Sequence, residues 1–315
     1  MKDGVFAAID VGTNATRLKL ARRRSTGTLE NIHSQRDPVR PGEGVFKTGR
    51  IIEPVANRLI HTLREYSDMC RLYGAEVRAV ATSALREAAN REEVVERARL
   101  EAGVTLEVIS GREEARLVCL GVLEGASPAA RSLCIDIGGG STEVALALGE
   151  HPTGLWSLGL GTVRMNELID GKSETTVAEL ERMRTLAAEA VALLPRKPSD
   201  SPLPNAIGCS GTVRALISFA TGESRTYATQ AELSRTVDEL VELSAVARRK
   251  LFEPRRADII VGGAVILEAL CKHLSIETLR ATKRGLRDGI LIDLVRQKAA
   301  TPRFHRNPRP MLVAE

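Results

Sequence analysis

The residues best suited to chemistry lie in one stretch, 133–147, which reads LCIDIGGGSTEVALA. An apolar run ends in Asp136, a glycine-rich loop follows, and Glu143 leads into a second apolar run. Glycines let backbone N–H groups converge on an anion, and carboxylate oxygens are ligands for Mg²⁺. The pattern predicts a strand, a phosphate-binding loop and a strand, with Asp136 and Glu143 as metal ligands. An ordinary hairpin turn is the alternative. The loop consists of Gly138, Gly139, Gly140 and Ser141.

The same pattern occurs near the N-terminus, where residues 5–21 read VFAAIDVGTNATRLKLA. At one constant offset Asp10 matches Asp136, Gly12 matches Gly138, Thr16 matches Thr142, Asn14 falls opposite Gly140, and Arg17 falls opposite Glu143. The spacing is too long for a solenoid repeat and indicates a duplicated domain. We therefore expect two facing phosphate hairpins with a cleft between them. Asp10 is a further candidate metal ligand, and Thr16 a candidate phosphate ligand.

Two other strand ends carry candidate ligand groups. Arg86 follows the predicted strand 76–81, and ligands of open α/β sheets bind at such ends. It is either a phosphate clamp or a structural partner of Glu87. Gly211 and Thr212 open a helix after the strand 206–209, as a third anion site or as a simple helix cap.

Glu114 is the candidate general base. At about 100° per residue, the apolar stripe within 115–122 leaves Glu113 roughly 170° from its centre and Glu114 only about 90° away. Ser110 and Glu113 fit a capping box, which directs Glu113 towards solvent. Glu114 lies beside the buried face, where a carboxylate is either structural or catalytic. The five histidines lie outside the glycine loops, so the base is predicted to be a carboxylate.

The elements that position these residues alternate between strands and helices, which is typical of an α/β fold. The segment 124–132 is the predicted junction between an N-terminal domain, 1–125, and a second domain, 126–300. The last helix starts within 283–294, and its end, about 296–305, is expected to pack back on the first domain. Residues 301–315 are expected to be disordered. Predicted strands are 5–10, 16–21, 28–34, 76–81, 104–109, 154–158, 206–209 and 276–281, and predicted helices include 54–73, 90–102, 176–194 and 229–250.

Composition indicates a globular protein with a mild preference for anionic partners. Of 315 residues, 43% are apolar and 27% charged, and the net charge is +5. Aromatic residues make up only 3%, so a platform for stacked nucleobases is not expected and no specific nucleic acid is a predicted partner. Five isolated cysteines are typical of buried thiols in a reducing compartment. No segment has the length of a signal peptide or a membrane span, so we expect a cytoplasmic protein without a membrane partner.

Seven motifs in order along the chain resemble the exopolyphosphatase and guanosine pentaphosphate phosphohydrolase family (Ppx/GppA). The combination of IDIGGG with SGREEAR is more specific than IDIGGG alone, which also occurs in the wider actin, Hsp70 and sugar-kinase superfamily. The resemblance implies two ribonuclease-H-like domains with an interdomain cleft, in a short two-domain form of the family. The motifs are DVGTNAT at 10–16, ATSALREAAN at 81–90, ISGREEARL at 109–117, IDIGGGSTE at 135–143, LGLGTVRM at 158–165, GCSGTVRAL at 208–216 and KRGLRDGILIDL at 283–294.

The resemblance also implies roles for individual residues. Glu114 corresponds to the general base and Asp136 and Glu143 to the carboxylates that hold a divalent metal, Mg²⁺ or Mn²⁺. The phosphate-binding positions correspond to Thr13, Asn14, Arg86 and the loop 138–141. In the first loop, Ala15 stands where many relatives have a hydroxyl.

The implied reaction is release of terminal orthophosphate from inorganic polyphosphate, by in-line attack of a water that Glu114 activates. A guanosine pentaphosphate phosphohydrolase is the alternative within the same class, and polyphosphate is favoured because few aromatic residues are available for a guanine pocket. A kinase would need an adenine pocket that the sequence does not reveal. A non-catalytic sensor of guanosine alarmones is the alternative from another class. By analogy with short family members, we expect a homodimer.

Overall fold

The structure is a computed structural model that describes residues 4–168, 174–196 and 205–300. The described chain forms two mixed β-sheets with helices packed against them. No helix among the described residues is long and apolar enough to cross a bilayer. All five cysteines are buried and unpaired, as the sequence predicts.

The first sheet has the strand order β3-β2-β1-β4-β5. Strand β1 is antiparallel to β2 and parallel to β4. The long helix α2 buries its apolar side against this sheet, where Leu59 and Leu63 pack with Ile9 and Leu18. The strands are β1 (Val5–Val11), β2 (Thr16–Arg23), β3 (Leu29–Asp37), β4 (Glu76–Ala81) and β5 (Leu106–Val108), and the helices are α1 (Val45–Thr48), α2 (Glu53–Leu72), α3 (Ser83–Glu87), α4 (Arg91–Ala102) and α5 (Gly111–Leu123).

The second sheet has the order β10-β11-β9-β6-β7-β8. The apolar helix α12 belongs to the hydrophobic core that packs around this sheet, and Val265 and Ile266 of α12 are completely buried. The strands are β6 (Arg131–Ile137), β7 (Thr142–Leu148), β8 (His151–Leu158), β9 (Asn205–Gly208), β10 (Tyr227–Thr229) and β11 (Thr278–Ala281). The helices are α6 (Thr162–Leu168), α7 (Val177–Val191), α8 (Gly211–Ala220), α9 (Gln230–Glu242), α10 (Ala245–Leu251), α11 (Pro254–Ala257), α12 (Ile260–His273) and α13 (Leu286–Ala300).

The two sheets repeat one arrangement, as the internal sequence match predicts. Strand β6 lies between an antiparallel β7 and a parallel β9, just as β1 lies between β2 and β4. In the first hairpin Asp10 faces Arg17 across the strands, and in the second Asp136 faces Glu143. This arrangement confirms the predicted fold class, two ribonuclease-H-like domains. The exact division at residues 125 and 126 stays a prediction.

Helix α13 follows β11 of the second sheet and packs against β1 and α5. The contact with α5 is close because both helices present glycine: a Cβ on Gly289 would lie 1.8 Å from the Leu117 carbonyl oxygen. Ion pairs extend the contact, since Asp293 accepts from Arg78 and Arg116. These contacts involve the first half of the helix, and the packing of 296–305 on the first domain stays a prediction. The predicted part beyond residue 300 and the predicted disordered tail lie outside the described residues.

Two local predictions are only partly correct. At α5 only half of the capping box forms: Ser110 accepts from the Glu113 amide, but the Glu113 carboxylate binds Arg116 instead of the cap, so it does not simply face solvent. The predicted helix 229–250 is two helices, because Ser244 caps a new helix.

Candidate active site

The two glycine-containing loops face each other. Each is closed by an equivalent hydrogen bond, from the Gly12 amide to the Ala15 carbonyl (3.2 Å) and from the Gly138 amide to the Ser141 carbonyl (2.9 Å). Thr13 of the first loop touches the second so closely that a Cβ on Gly139 would lie 2.9 Å from the Thr13 Cβ. Glycine is therefore required at position 139 for the loops to meet.

Four amides at this junction are free to bind an anion. Within the described residues, the N–H groups of Thr13, Asn14, Gly139 and Gly140 have no acceptor. Unpaired backbone donors that converge on one space form a binding site for phosphate oxygens. This is the arrangement that the glycine pattern predicts.

A cleft of about 220 Å³ opens between these loops. It brings together twelve of the fourteen predicted site residues and excludes two, Thr16 and Arg86. The twelve are Asp10, Thr13, Asn14, Glu114, Asp136, Gly138, Gly139, Gly140, Ser141, Glu143, Gly211 and Thr212.

Glu114 and Glu143 are acids held almost out of solvent, with exposed fractions of 7% and 2%. Burial raises the pKa of Glu114 to about 7, and the guanidinium of Arg86 opposes that shift. Burial, with the charge of Glu114, raises the pKa of Glu143 well above its ordinary value. Burial also raises the pKa of Asp136 to about 6. The cleft thus holds several carboxylates with too little compensating positive charge beside them.

Arg86 lies behind Glu114 instead of in the cleft. Its Nη1 donates to Glu114 Oε2 at 3.0 Å and to the Ile109 carbonyl at 2.9 Å. The alternative partner Glu87 instead accepts from Ser83 and from Arg164. The structure therefore places Arg86 where it orients Glu114, which departs from the predicted phosphate contact.

Thr16 also departs from its predicted role. Its side chain is fully buried, its hydroxyl has no partner among the described residues, and it does not line the cleft. The matching Thr142 hydroxyl donates to the Leu160 carbonyl at 2.6 Å. Because Thr16 begins β2 beneath the loop, its hydroxyl points into the protein, and Ala15 leaves the first loop without a substitute.

Asp10 differs from its counterpart Asp136 because, within the described residues, only Asp10 of the two forms an ion pair. Arg17 Nη1 lies 3.2 Å from Asp10 Oδ2, so this carboxylate is already paired. In the second hairpin Glu143 stands in the place of Arg17. The second hairpin therefore has the surplus negative charge that attracts a cation.

The carboxylates fit a divalent cation that is shared with a substrate. Among the described residues, no three acid, histidine or cysteine side chains are close enough to hold a metal by themselves. Mg²⁺ commonly binds one or two carboxylates and completes its shell with water and phosphate oxygens. Asp136 and Glu143 are two such carboxylates, because both line the cleft beside the glycine loop.

The cleft is also lined by a cluster of cations. Burial lowers the pKa of Arg256, and neighbouring Arg36, Arg214 and Arg17 lower it further. Burial and Arg17 likewise lower the pKa of Arg287. Mutual repulsion of this kind means that the cluster carries more positive charge than its partners neutralise. The cationic cluster consists of Arg17, Arg36, Arg214, Arg256, Lys283 and Arg287, all of which line the cleft.

With this geometry established, comparison with known proteins identifies the family. The model of the Ppx/GppA phosphatase family matches residues 20–298. The chain belongs to the Ppx/GppA phosphatase family. This Ppx/GppA protein is 32% identical to exopolyphosphatase 2 of Mycobacterium tuberculosis over 313 residues, which cover 91% of this chain and 98% of the relative. It is also 32% identical to exopolyphosphatase 1 of Mycobacterium leprae, over 91% of this chain and 88% of that protein.

Solved structures agree. The Ppx/GppA family member of Aquifex aeolicus is 28% identical, with a TM-score of 0.80 over 95% of this chain and 100% of that one. An exopolyphosphatase of Cytophaga hutchinsonii shares the fold, with 24% identity and a TM-score of 0.80 over 93% and 98% of the two chains. The predicted family is confirmed, and with it a hydrolase of phosphate compounds.

Sequence reasoning about this Ppx/GppA protein missed most of the cationic cluster. Arg214 and Arg287 lie in two of the family motifs, SGTVR and KRGLRDG, and position in those motifs was a usable signal. Arg36 and Arg256 come from β3 and α11, and neither segment has a recognisable pattern. Gly211 and Thr212 line the cleft, while Ser210 caps α8 by accepting from the Val213 amide at 3.0 Å. The cap therefore forms without removing Gly211 and Thr212 from the cleft, and their role as an anion site stays a prediction.

Proposed function

We propose that this Ppx/GppA protein is an exopolyphosphatase, which releases the terminal orthophosphate of inorganic polyphosphate. One observation carries the proposal: four unpaired amides and a mutually repelling cationic cluster share one cleft with the nearly buried Glu114. The amides suit the terminal phosphate, and the cluster suits the many charges of the remaining chain. The relatives named exopolyphosphatase support this choice of substrate.

In the proposed reaction Glu114 is the general base. Its carboxylate takes a proton from water, the water oxygen bonds to the terminal phosphorus, and the bond from that phosphorus to the bridging oxygen breaks. The shortened chain leaves with the electron pair on that oxygen. A raised pKa suits this role, because a base is most effective when its pKa lies near the working pH. Arg86 positions Glu114, and the loop amides with Asn14 stabilise the charge on the transferred phosphate.

Asp136 and Glu143 would hold a divalent cation, Mg²⁺ or Mn²⁺, with Asp10 nearby. A cation bound there supplies neutralisation of the phosphate oxygens. The side chains keep their own roles in its presence: Ser157 donates to Glu143 at 2.8 Å, which fixes that carboxylate towards the cleft. The Cys209 thiol donates to the carbonyl of Ile135, the residue before Asp136, at 3.5 Å.

A substrate comparison tests the proposal. Purified protein is assayed for orthophosphate with malachite green on polyphosphates of several lengths, guanosine pentaphosphate and ATP, each with Mg²⁺ or Mn²⁺. We expect fastest release from polyphosphate. Faster release from guanosine pentaphosphate would assign the alternative substrate, and alarmone binding without any release would make the protein a sensor. The homodimer and the cytoplasmic location stay predictions, of which sedimentation tests the first.

A further inference from the structure

A second cavity lies on the other side of the catalytic residues. It has a volume of about 370 Å³, and we call it the rear cavity. It shares one residue with the cleft, Ser141, which lines both. The rear cavity is lined by Arg86, Glu87, Gly111, Arg112, Ser141, Ser157, Leu158 and Gly159.

Two hydrogen-bonded pairs form the wall between the cleft and the rear cavity. Glu114 lines the cleft, and its partner Arg86 lines the rear cavity, 3.0 Å away. Glu143 lines the cleft, and its partner Ser157 lines the rear cavity, 2.8 Å away. In both pairs the acid faces the cleft and the donor lines the rear cavity. The reacting phosphate and the rear cavity are therefore separated by a single layer of side chains.

The rear cavity has the chemistry of an anion site. Arg86 and Arg112 provide two guanidinium groups, and Ser141 and Ser157 provide hydroxyls. Its one acid, Glu87, is neutralised by an ion pair with Arg164. Within the described part of the chain, Arg112 has no hydrogen-bond or ion-pair partner, and it is exposed. A cation at a cavity mouth without a protein partner is available to a small anion.

We propose that the rear cavity is the exit site for orthophosphate. This inference rests on the proposed function. After hydrolysis, the shortened polyphosphate still lies on the cationic cluster and blocks the front of the cleft. The orthophosphate product lies next to Ser141 and the Arg86–Glu114 pair. Movement of that one pair opens the wall, and Arg86 then accompanies the anion towards Arg112. The remaining polyphosphate stays in place for the next cleavage.

A binding experiment tests the site without requiring turnover. The cleft of the wild-type protein is saturated with imido-bridged tripolyphosphate, whose P–N–P links resist hydrolysis, and orthophosphate is then titrated calorimetrically. We expect orthophosphate to bind the saturated protein, and Arg112→Glu to weaken that binding about fivefold, as expected for the change of one exposed charge. Arg182→Glu, an equal charge change on the exposed face of α7, is expected to have no effect. Mutual exclusion of the two ligands, or equal affinities in the two variants, would overturn the proposal.

A kinetic experiment tests the exit route itself. Orthophosphate formed is measured after acid quench, and orthophosphate released is followed with a fluorescent phosphate-binding protein. In Arg112→Glu we expect release to lag behind formation several-fold more than in wild type or Arg182→Glu. Coincident release traces in all three proteins would refute the route. Failure of the proposed function is recognised separately, because the wild-type protein would then form no orthophosphate from polyphosphate at all.

Discussion

The burial of Glu114, the proposed general base, predicts that this residue lowers the stability of the fold at neutral pH. Burial raises the pKa of Glu114 from 4.5 to about 7. Below about pH 4.5 this acid is protonated in both the folded and the unfolded chain, and the free energy of unfolding is highest. As the pH rises from 4.5 towards 7 the free energy of unfolding falls, because Glu114 ionises in the unfolded chain before it ionises in the folded one. A difference of about 2.5 pKa units corresponds to about 3 kcal/mol. Glu114→Gln removes this loss. The free energy of unfolding of Glu114→Gln minus that of wild type should therefore be about 3 kcal/mol larger at pH 8 than at pH 4.5.

The neighbouring acid is a matched control with the opposite sign. Arg116 lowers the pKa of Glu113, so the ionised Glu113 stabilises the fold above pH 4.5 and loses that effect in acid. Glu113→Gln should destabilise the protein more at pH 8 than at pH 3, and its effect should differ little between pH 8 and pH 4.5. The assay is urea unfolding in EDTA at pH 8, 4.5 and 3, since a bound cation would stabilise the ionised acids. Parallel pH profiles for wild type and Glu114→Gln would refute the argument from burial.

Three further predictions concern the helix contact, the cationic cluster and the metal. Gly289→Ala should lower the free energy of unfolding by about 3 kcal/mol, because the added Cβ meets the Leu117 carbonyl. Gly159→Ala, whose Cβ has nothing within 4 Å, should change the free energy of unfolding little. Both are measured by urea unfolding, and equal values for the two variants would contradict the packing. In steady-state assays, Arg256→Gln should raise KM for polyphosphate about tenfold and leave kcat unchanged. The control Arg255→Gln should change neither constant. An unchanged KM in Arg256→Gln would remove Arg256 from the substrate site. EDTA should abolish phosphate release. At pH 8, Mg²⁺ should raise the melting temperature of Asp136→Asn less than that of wild type, because the variant lacks one metal ligand. Equal shifts of the melting temperature would exclude Asp136 as a ligand.

The hairpins were predictable because each is specified locally. An apolar run, a carboxylate and glycines determine a strand, a ligand and a loop within a few residues, and the internal repeat indicates that two such loops face each other. Glu114 was predictable from helical periodicity, which distinguished it from Glu113 by angle alone. The same angle did not reveal that Arg78 and Arg116 bind Glu113.

The remaining features depend on tertiary contacts between distant segments. Arg86 follows a strand end like many ligand residues, and only the packing of α5 beside that strand turns it towards Glu114. Arg36 of β3 and Arg256 of α11 are brought together only by the fold, and nothing near either residue in sequence marks it. The close contact of α13 with α5 depends on Gly289, one glycine in a helix that a sequence pattern would treat as a weak point.

The central claim is that Glu114 removes a proton from the attacking water. The most direct measurement is the single-turnover rate of orthophosphate formation from polyphosphate by Glu114→Gln and by Glu113→Gln, with polyphosphate binding measured in parallel. We predict a loss of about 10² to 10⁴-fold in Glu114→Gln with binding kept, and a rate close to wild type in Glu113→Gln. A Glu114→Gln protein that forms orthophosphate at the wild-type rate would contradict the account.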